Sequence, residues 1–336
     1  MKILLTIAFI FFSWCINAQQ ISRGLNGKVK EVVEKQFAFS NQEEVFSRKI
    51  ESFYNDKGDL ISKFEYKGKE DEDYSKVRED ESTHWDEDIF LAVEKNQYNA
   101  NGELIQKFQN HKLYTEDKVF RYFKDENGND TLIEVRNSND VLIERIRCFY
   151  DANGNLIRWE GFDLKREFVS TKGKVTYKFH DNGTLKERQV DSTIWKYAFP
   201  LTIHEYDDKG HLLESYHLND SKEKIYHFKA EYVQGKLKKQ TTYKSGRKNV
   251  VYTYNDQEEE ISMEKFKNDE LVFKRTYQYN EEGDVIKMEL KQVRGNMTIL
   301  WDFEYEYDTQ GNWVKKTEKE NGTVFKISRR QIQYYP

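Results

Sequence analysis

Tyr150-Asp151-Ala152-Asn153-Gly154-Asn155-Leu156-Ile157 is the stretch on which the fold turns. Its second and third places, then its fifth, carry the chemistry of a tight turn. A carboxylate or amide at the second place bonds its own backbone, and the glycine supplies a residue with positive φ. A three-residue hairpin loop, a type I turn followed by a left-handed glycine and a bulge, fits the spacing. It sets the leading tyrosine opposite the leucine at the seventh place. Such an aromatic–aliphatic cross-strand pair stabilises by about 0.2–1 kcal/mol.

The frame recurs at Tyr54 to Ile61, Tyr98 to Ile105, Phe179 to Lys186, Tyr206 to Leu213, Tyr279 to Ile286 and Tyr307 to Val314. The turn glycines of these copies are Gly58, Gly102, Gly154, Gly183, Gly210, Gly283 and Gly311. Three degenerate copies fill the gaps. Phe123 to Gly128 has one extra residue, Tyr232 to Gly235 is one short, and the Tyr254 copy carries Glu258 where glycine would stand. The copies follow one another at a near-constant step of about 26 residues, the signature of a repeat array.

The flanking segments alternate as strands do. Phe303, Tyr305 and Tyr307 share one face, with Asp302, Glu304, Glu306 and Asp308 on the other. A second set of polar turns lies between the tyrosine turns. These are Asn137-Ser138-Asn139-Asp140, Lys172-Gly173, Ser245-Gly246, Asn268-Asp269, Arg294-Gly295-Asn296 and Asn321-Gly322. Two strands and two turns per unit predict an all-β chain of tandem β-hairpins, roughly twenty strands in one long antiparallel sheet. The accumulated right-handed twist should curl or roll it. Its terminal strands would need protection from edge pairing, for which Lys315, Lys316, Lys319, Arg329 and Arg330 are available. The first interval, 54 to 98, is long. Its excess, 68–92, is an acidic insertion or a decayed repeat in which Trp85, Ile89, Phe90 and Leu91 suggest packing.

Composition agrees. Hydrophobic residues make up 37% of the 336 residues and aromatics 15%, with 22 Tyr and 22 Phe but only 2 Pro. The low apolar total excludes a polytopic membrane protein, and the aromatic content excludes disorder. The 54 basic residues balance 59 acidic ones, a net charge of −5. With no basic stripe, nucleic acid is not an expected partner.

Residues 1–18 read as a signal peptide. Lys2 is the basic start, Ile3 to Phe12 the apolar run, and cleavage is expected between Ala18 and Gln19. The run is too short to span a bilayer, and Trp14 before Cys15 is unsuited to a lipoprotein signal. The mature chain, 19–336, is read as a single repeat domain, secreted or periplasmic, without a membrane span. Cys148 is then its one cysteine, so no internal disulfide forms. It sits in a strand pattern as a small buried hydrophobe.

The tandem frame Tyr-Asp-x-x-Gly-Asn-Leu-Ile, nearly unaltered at Tyr150 and Tyr307, resembles the YD repeat of the RHS/YD-repeat family. The likeness runs from about Asn26 to the C-terminus. The opening Leu25 to Lys30 and the closing Arg329 to Tyr335 also resemble short secreted bacterial proteins of this type. In the large members the repeats spiral into a hollow shell around a toxin domain. This chain has about ten units and no following toxin domain, so the resemblance implies the hairpin fold and an extracytoplasmic setting but not encapsulation. The Phe179 copy alone is similar to the MORN-like hairpins of a bacterial antitoxin-type family.

Candidate chemistry is sparse. His84, His111, His180, His204, His211, His217 and His227 make no zinc-site pattern and read as turn and strand-surface residues. Asp125 to Asp130 is acid-rich but lacks an EF-hand register. No nucleophile motif, phosphate loop or acid–base pair stands out. No catalysis, metal or cofactor is expected. Trp85, Trp159 and Trp195 are candidate binding residues, with Trp301 and Trp313 beside them; tryptophans in strand patterns are more often core. The expected function is a binding or scaffold module for an unknown protein or glycan. The alternatives are an immunity or antitoxin-like partner of a secreted toxin and, more remotely, a hydrolase with an unrecognised site.

Overall fold

The computed structural model describes residues 25–40, 43–66, 90–111, 118–137, 139–194 and 197–336. The signal segment, most of the acidic stretch, Trp85 and Trp195 lie outside the described residues. Everything regular is β. The strands are β1 (Val29–Ser40), β2 (Glu43–Tyr54), β3 (Leu60–Tyr66), β4 (Phe90–Tyr98), β5 (Leu104–His111), β6 (Lys118–Lys124) and β7 (Asp130–Arg136). Then come β8 (Leu142–Tyr150), β9 (Leu156–Asp163), β10 (Phe168–Phe179), β11 (Leu185–Ile194), β12 (Tyr197–Tyr206), β13 (Leu212–Leu218) and β14 (Lys224–Val233). The last are β15 (Lys236–Lys244), β16 (Arg247–Tyr254), β17 (Glu260–Lys267), β18 (Glu270–Tyr279), β19 (Val285–Gln292), β20 (Thr298–Tyr307), β21 (Trp313–Glu320) and β22 (Thr323–Tyr334).

The repeat turn explains this order. Asn55 N–H donates to Asp59 O at 3.0 Å and Gly58 N–H to Asn55 O at 3.0 Å. Asn55 Oδ1 accepts from the N–H groups of Lys57 and Asp59 at 3.0 and 2.8 Å. The same pattern holds at Asn99, Asp125, Asp151, Asp207, Asn255 and Asp308. Glycine stands in the left-handed region at the fifth place, with φ +79° at Gly154 and +84° at Gly183. Tyr54 pairs with Leu60, Tyr98 with Leu104, Tyr150 with Leu156 and Tyr307 with Trp313.

Three details differ from the sequence reading. The copy near Phe123 has no extra residue: Lys124 takes the tyrosine place and pairs with Asp130. The same turn recurs without glycine at Asn137–Val141 and Asn219–Glu223, where Asp140 and Lys222 adopt φ of 58° and 62°. Gln234-Gly235 is a two-residue turn with two successive positive φ values, as are Ser245-Gly246 and Asn321-Gly322.

Lys172-Gly173 is not a turn. It lies inside β10, where Gly173 pairs with Trp159. A Cβ on Gly173 would stand 2.1 Å from the Trp159 ring. The missing side chain lets the indole lie on the backbone of the next strand.

All 22 strands belong to one sheet. The expected exposed terminal edges are absent, because β22 pairs antiparallel with β1 over Ala38↔Lys326 to Val29↔Tyr334. The topology is a closed antiparallel barrel rather than an open sheet, and closure removes edges outright. Arg329 and Arg330 therefore serve the seam, bonding Glu44 at 2.7 Å and Glu34 at 2.9 Å. The opening and closing segments meet there: Asn26 N–H donates to Asn312 Oδ1 at 2.7 Å and Tyr335 N–H to Lys28 O at 2.8 Å.

The chain packs as two units, Thr176–Leu271 and Asn26–Val175 with Val272–Pro336. In the larger unit, Phe64, Tyr66, Val93, Phe108 and Val119 form one apolar cluster. On the other face of the sheet, Phe120, Val135, Ile146, Cys148 and Trp159 are buried. Burial pushes the Cys148 thiol up to about 11, so it is not a thiolate at neutral pH.

Gly154→Ala should cost about 1–2 kcal/mol, since alanine is strained at positive φ. Lys222→Gly at the equivalent place should gain up to about 1 kcal/mol, the relieved strain less the added unfolded-state freedom. Urea unfolding of both variants tests the pair, and equal signs would refute it. Gly173→Ala should cost more, about 1–3 kcal/mol, by driving a methyl into the Trp159 ring; a neutral effect would contradict the packing described.

Candidate functional site

Strands β12 to β15, inside the smaller unit, hold a polar–aromatic constellation outside the turns. Register decides its composition. Glu187 pairs with Glu205, Glu205 with Glu214, and Glu214 with Lys229. Three carboxylates thus stand side by side on one face, an arrangement that costs energy unless cations intervene. Lys224 Nζ lies 3.0 Å from Glu214 and 3.4 Å from Glu205, and Lys229 Nζ lies 3.3 Å from Glu214. Lys178 serves Glu187 at 2.7 Å.

Two residues further along, Ile203, Tyr216 and Tyr226 are in register on the same face. Tyr216 is buried, and its hydroxyl donates to Glu205 Oε1 at 2.6 Å. Burial and that carboxylate hold the Tyr216 phenol up at about 12. Tyr226 packs edge-on to Tyr216, ring centroids 6.0 Å apart, and 5.8 Å from Tyr243. Lys224 Nζ sits 4.1 Å above the Tyr216 ring and Lys229 Nζ 3.7 Å above Tyr226. These cation–π contacts add to the ion pairs. Burial opposes the charge on Lys224, but Glu214 and Glu205 outweigh it and raise the ammonium above its ordinary value. Burial likewise opposes the charge on Glu214, and the two lysines still hold it below the usual carboxylate range.

Tyr226 and Tyr243 remain half-buried. The result is an ordered platform of rings rimmed by ammonium and carboxylate groups. It can stack on an apolar ring face and hydrogen-bond around it. It holds no serine or cysteine nucleophile among these contacts, and its carboxylates are committed to lysines.

The tryptophans named from sequence fare differently. Trp159 is 5% exposed, its Nε1–H directed at Thr171 Oγ1 at 3.3 Å, so it is core and offers no stacking surface. Trp301 donates to Glu320 at 3.0 Å, and Trp313 lies 3.4 Å beneath the Arg330 guanidinium. None joins the platform. The platform tyrosines were missed because strand alternation alone makes every tyrosine look alike; the in-register acids at Glu205 and Glu214 were the available signal.

The histidines also depart from the surface reading. His211 bonds Asp207 at 2.8 Å and stacks on Tyr232 at 4.6 Å, as a turn residue would. His204 is 6% exposed. Burial, with the nearby Arg188 and His227, pushes its imidazole down to about 4. No group of three or more His, Cys, Asp and Glu among the described residues is arranged to hold a metal ion. No helix among them is long and apolar enough to cross a membrane.

No family model and no curated protein matches the chain. Among solved structures, a porin-like protein from Bacteroides uniformis aligns over 92% of this chain and 98% of its own, at 9% identity and a TM-score of 0.28. A Photorhabdus luminescens Tc holotoxin pore structure aligns over 89% of this chain and 19% of its own, at 12% identity and a TM-score of 0.34. A porin-like protein from Bacteroides vulgatus covers 73% and 94%, at 12% identity and a TM-score of 0.21. Scores this low carry no argument about fold or function.

A neutral buried His204 predicts a pH dependence. Its folded-state value lies below its unfolded one, so its contribution is complete above about pH 6.5 and is lost as pH falls toward 4. Between those limits stability should fall by up to about 1.4 kcal/mol per pH unit on its account. His204→Gln should flatten that slope in urea titrations across the window. An unchanged slope would show that His204 is protonated in the folded chain.

Proposed function

We propose that this chain is an extracytoplasmic binding module whose ligand-facing surface is the platform of Tyr226, Tyr243, Lys224, Lys229, Glu205 and Glu214. The observation that carries the reading is the pairing of half-buried rings with fixed charges on neighbouring strands, 3.7 Å from ammonium to ring at Lys229–Tyr226. That combination suits a glycan. Ring faces take the C–H side of a sugar, and the rim groups take its hydroxyls.

Other features support the reading. The apolar run from Ile3 to Phe12 behind Lys2 is that of an exported protein. The repeat residues are spent on the sheet itself, since the motif carboxylates, glycines and many tyrosine hydroxyls bond within the turns. Ion pairs stand on both faces of β2 and β3, Lys49–Glu51 at 2.9 Å on one and Lys63–Glu65 at 3.1 Å on the other. Lipid-facing strands carry an apolar band instead. A non-catalytic, water-facing module accounts for these features together.

Glycan-array screening of the full chain, followed by Tyr226→Ala and Tyr243→Ala, tests the proposal. Each substitution should weaken binding by about tenfold, the scale of one anchoring ring, with the far-UV dichroism unchanged. Binding indifferent to both, or turnover of a substrate by the purified chain, would overturn it.

A further inference from the structure

In the larger unit, strands β8, β9 and β10 bury one face and expose the other. Ile146, Cys148, Trp159 and Val175 are buried on the packed face. Alternation sends Arg145 and Arg147 of β8 to the opposite face, with Arg158, Glu160 and Phe162 of β9 and Lys172 and Lys174 of β10. All of these are exposed.

Register arranges them in rows. Arg145 stands beside Phe162, and Phe162 beside Val169. Arg147 stands beside Glu160, and Glu160 beside Lys172. Phe149 stands beside Arg158, and Arg158 beside Lys174. The cations therefore cover an area three strands wide, spaced about 4.8 Å across the strands and about 6.8 Å along them.

The acids nearby are already engaged. Glu134 on β7 takes Arg136 at 2.7 Å and Arg145 at 3.1 Å. Asp130 is held by Lys124 at 2.7 Å, and Glu160 is met by Arg158 at 3.5 Å. Arg147, Lys172 and Lys174 make no hydrogen bond or ion pair with any described residue. Soluble surfaces ordinarily intersperse the two signs, and the chain as a whole carries −5. Unpaired positive charge gathered on one flat face calls for an anionic partner. The Arg158 guanidinium lies 4.0 Å over the Phe149 ring, which steadies it on the sheet.

The same face also exposes apolar side chains. Phe162 is 39% exposed and Val169 47%. They face each other where the β9–β10 hairpin ends, close to the exposed Lys165. This pair selects among anions. A soluble polyanion would meet the cations along one line and give Phe162 and Val169 nothing. A bilayer with anionic headgroups presents phosphates over an area and takes apolar side chains just beneath them, so that both terms add.

We propose that the exposed face of β8, β9 and β10 docks this protein on an anionic lipid membrane. Arg147, Lys172 and Lys174 bind headgroup phosphates, with Arg145 and Arg158 beside them. Phe162 and Val169 enter the interfacial region at the hairpin end. The contact is peripheral, since the other face of these strands is core. The tyrosine platform plays no part in it, and either surface can fail without the other.

Cosedimentation of the full chain with vesicles tests the proposal. One set is phosphatidylcholine alone, the other equal parts phosphatidylcholine and phosphatidylglycerol. The apolar run from Ile3 to Phe12 is common to every variant, so differences between variants report the patch. Binding should be at least about tenfold tighter to the anionic vesicles and should be lost near 1 M salt, where charges are screened beyond about 3 Å. Arg147→Gln and Lys172→Gln should each weaken it about fivefold, the worth of one cation at an anionic surface. Phe162→Ser should weaken it by about fivefold as well, through lost apolar burial. Lys209→Glu, a larger charge change on an exposed turn outside the patch, should leave it unaltered. Equal binding to both vesicle sets, or Arg147→Gln and Lys172→Gln variants that bind like the wild type, would overturn the proposal. Binding that needs the cations but not Phe162, and that dextran sulfate beads reproduce, would replace the lipid by a soluble polyanion and overturn it too.

Discussion

One side-chain oxygen recurs at the root of the fold. At Asn55, Asn99, Asp125, Asp151, Asp207, Asn255 and Asp308, the second places of their repeats, a side-chain oxygen accepts two backbone N–H groups of its own turn. Asp151 Oδ1 takes those of Asn153 and Asn155, both at 2.9 Å. The side-chain amides of Asn129 and Asn155, with these backbone bonds after them, hold the Asp125 and Asp151 carboxyls below the usual carboxylate range. The turn then sets the bulge, the bulge sets the register, and the register decides which side chains share a face. A slip of one residue would exchange the two faces completely.

The tyrosines join successive repeats. Tyr98 hydroxyl donates to Leu60 O at 3.0 Å and Tyr150 hydroxyl to Asp130 O at 3.0 Å. Tyr307 donates to Asp284 at 2.7 Å, and Tyr334 to Asp308. Each ring thus bonds the turn of the preceding unit, so the motif builds both the hairpin and the contact between hairpins. At the seam Tyr335 donates to Tyr54 O at 2.8 Å, the same device used once more between the two ends of the chain. Local turns repeated in order explain how a chain with few aliphatic residues holds a large sheet. Its buried core mixes Val, Ile and Leu with rings such as Phe64, Tyr66, Phe108 and Trp159, and the polar groups of the repeat turns are spent within a few residues of where they occur.

The tyrosine platform and the histidines behind it share this origin. The acids and lysines around Tyr216 and the histidines around Ser215 occupy the same strands, separated only by alternation. The bulge at His227 moves a single imidazole between two chemically opposite faces. Without it the histidine would point toward the acids and lysines of the tyrosine platform.

The hairpin turn, its glycine, the pairing of Tyr150 with Leu156 and the all-β class were readable from residues close together in the chain, because the interactions that form them are local. The role of Gly173 was not. A glycine next to a lysine looks like a turn until Trp159 is seen lying on it, and that contact comes from the neighbouring strand. The burial of Trp159 and His204, the re-aiming of His227 and the meeting of β1 with β22 were hidden for the same reason. Each depends on which strand lies alongside, and closure joins segments some 300 residues apart whose pairing leaves no mark in either segment alone. Local hydrogen bonding wrote the repeat into the sequence; the faces, the seam and the tyrosine platform were decided only when the strands were placed side by side.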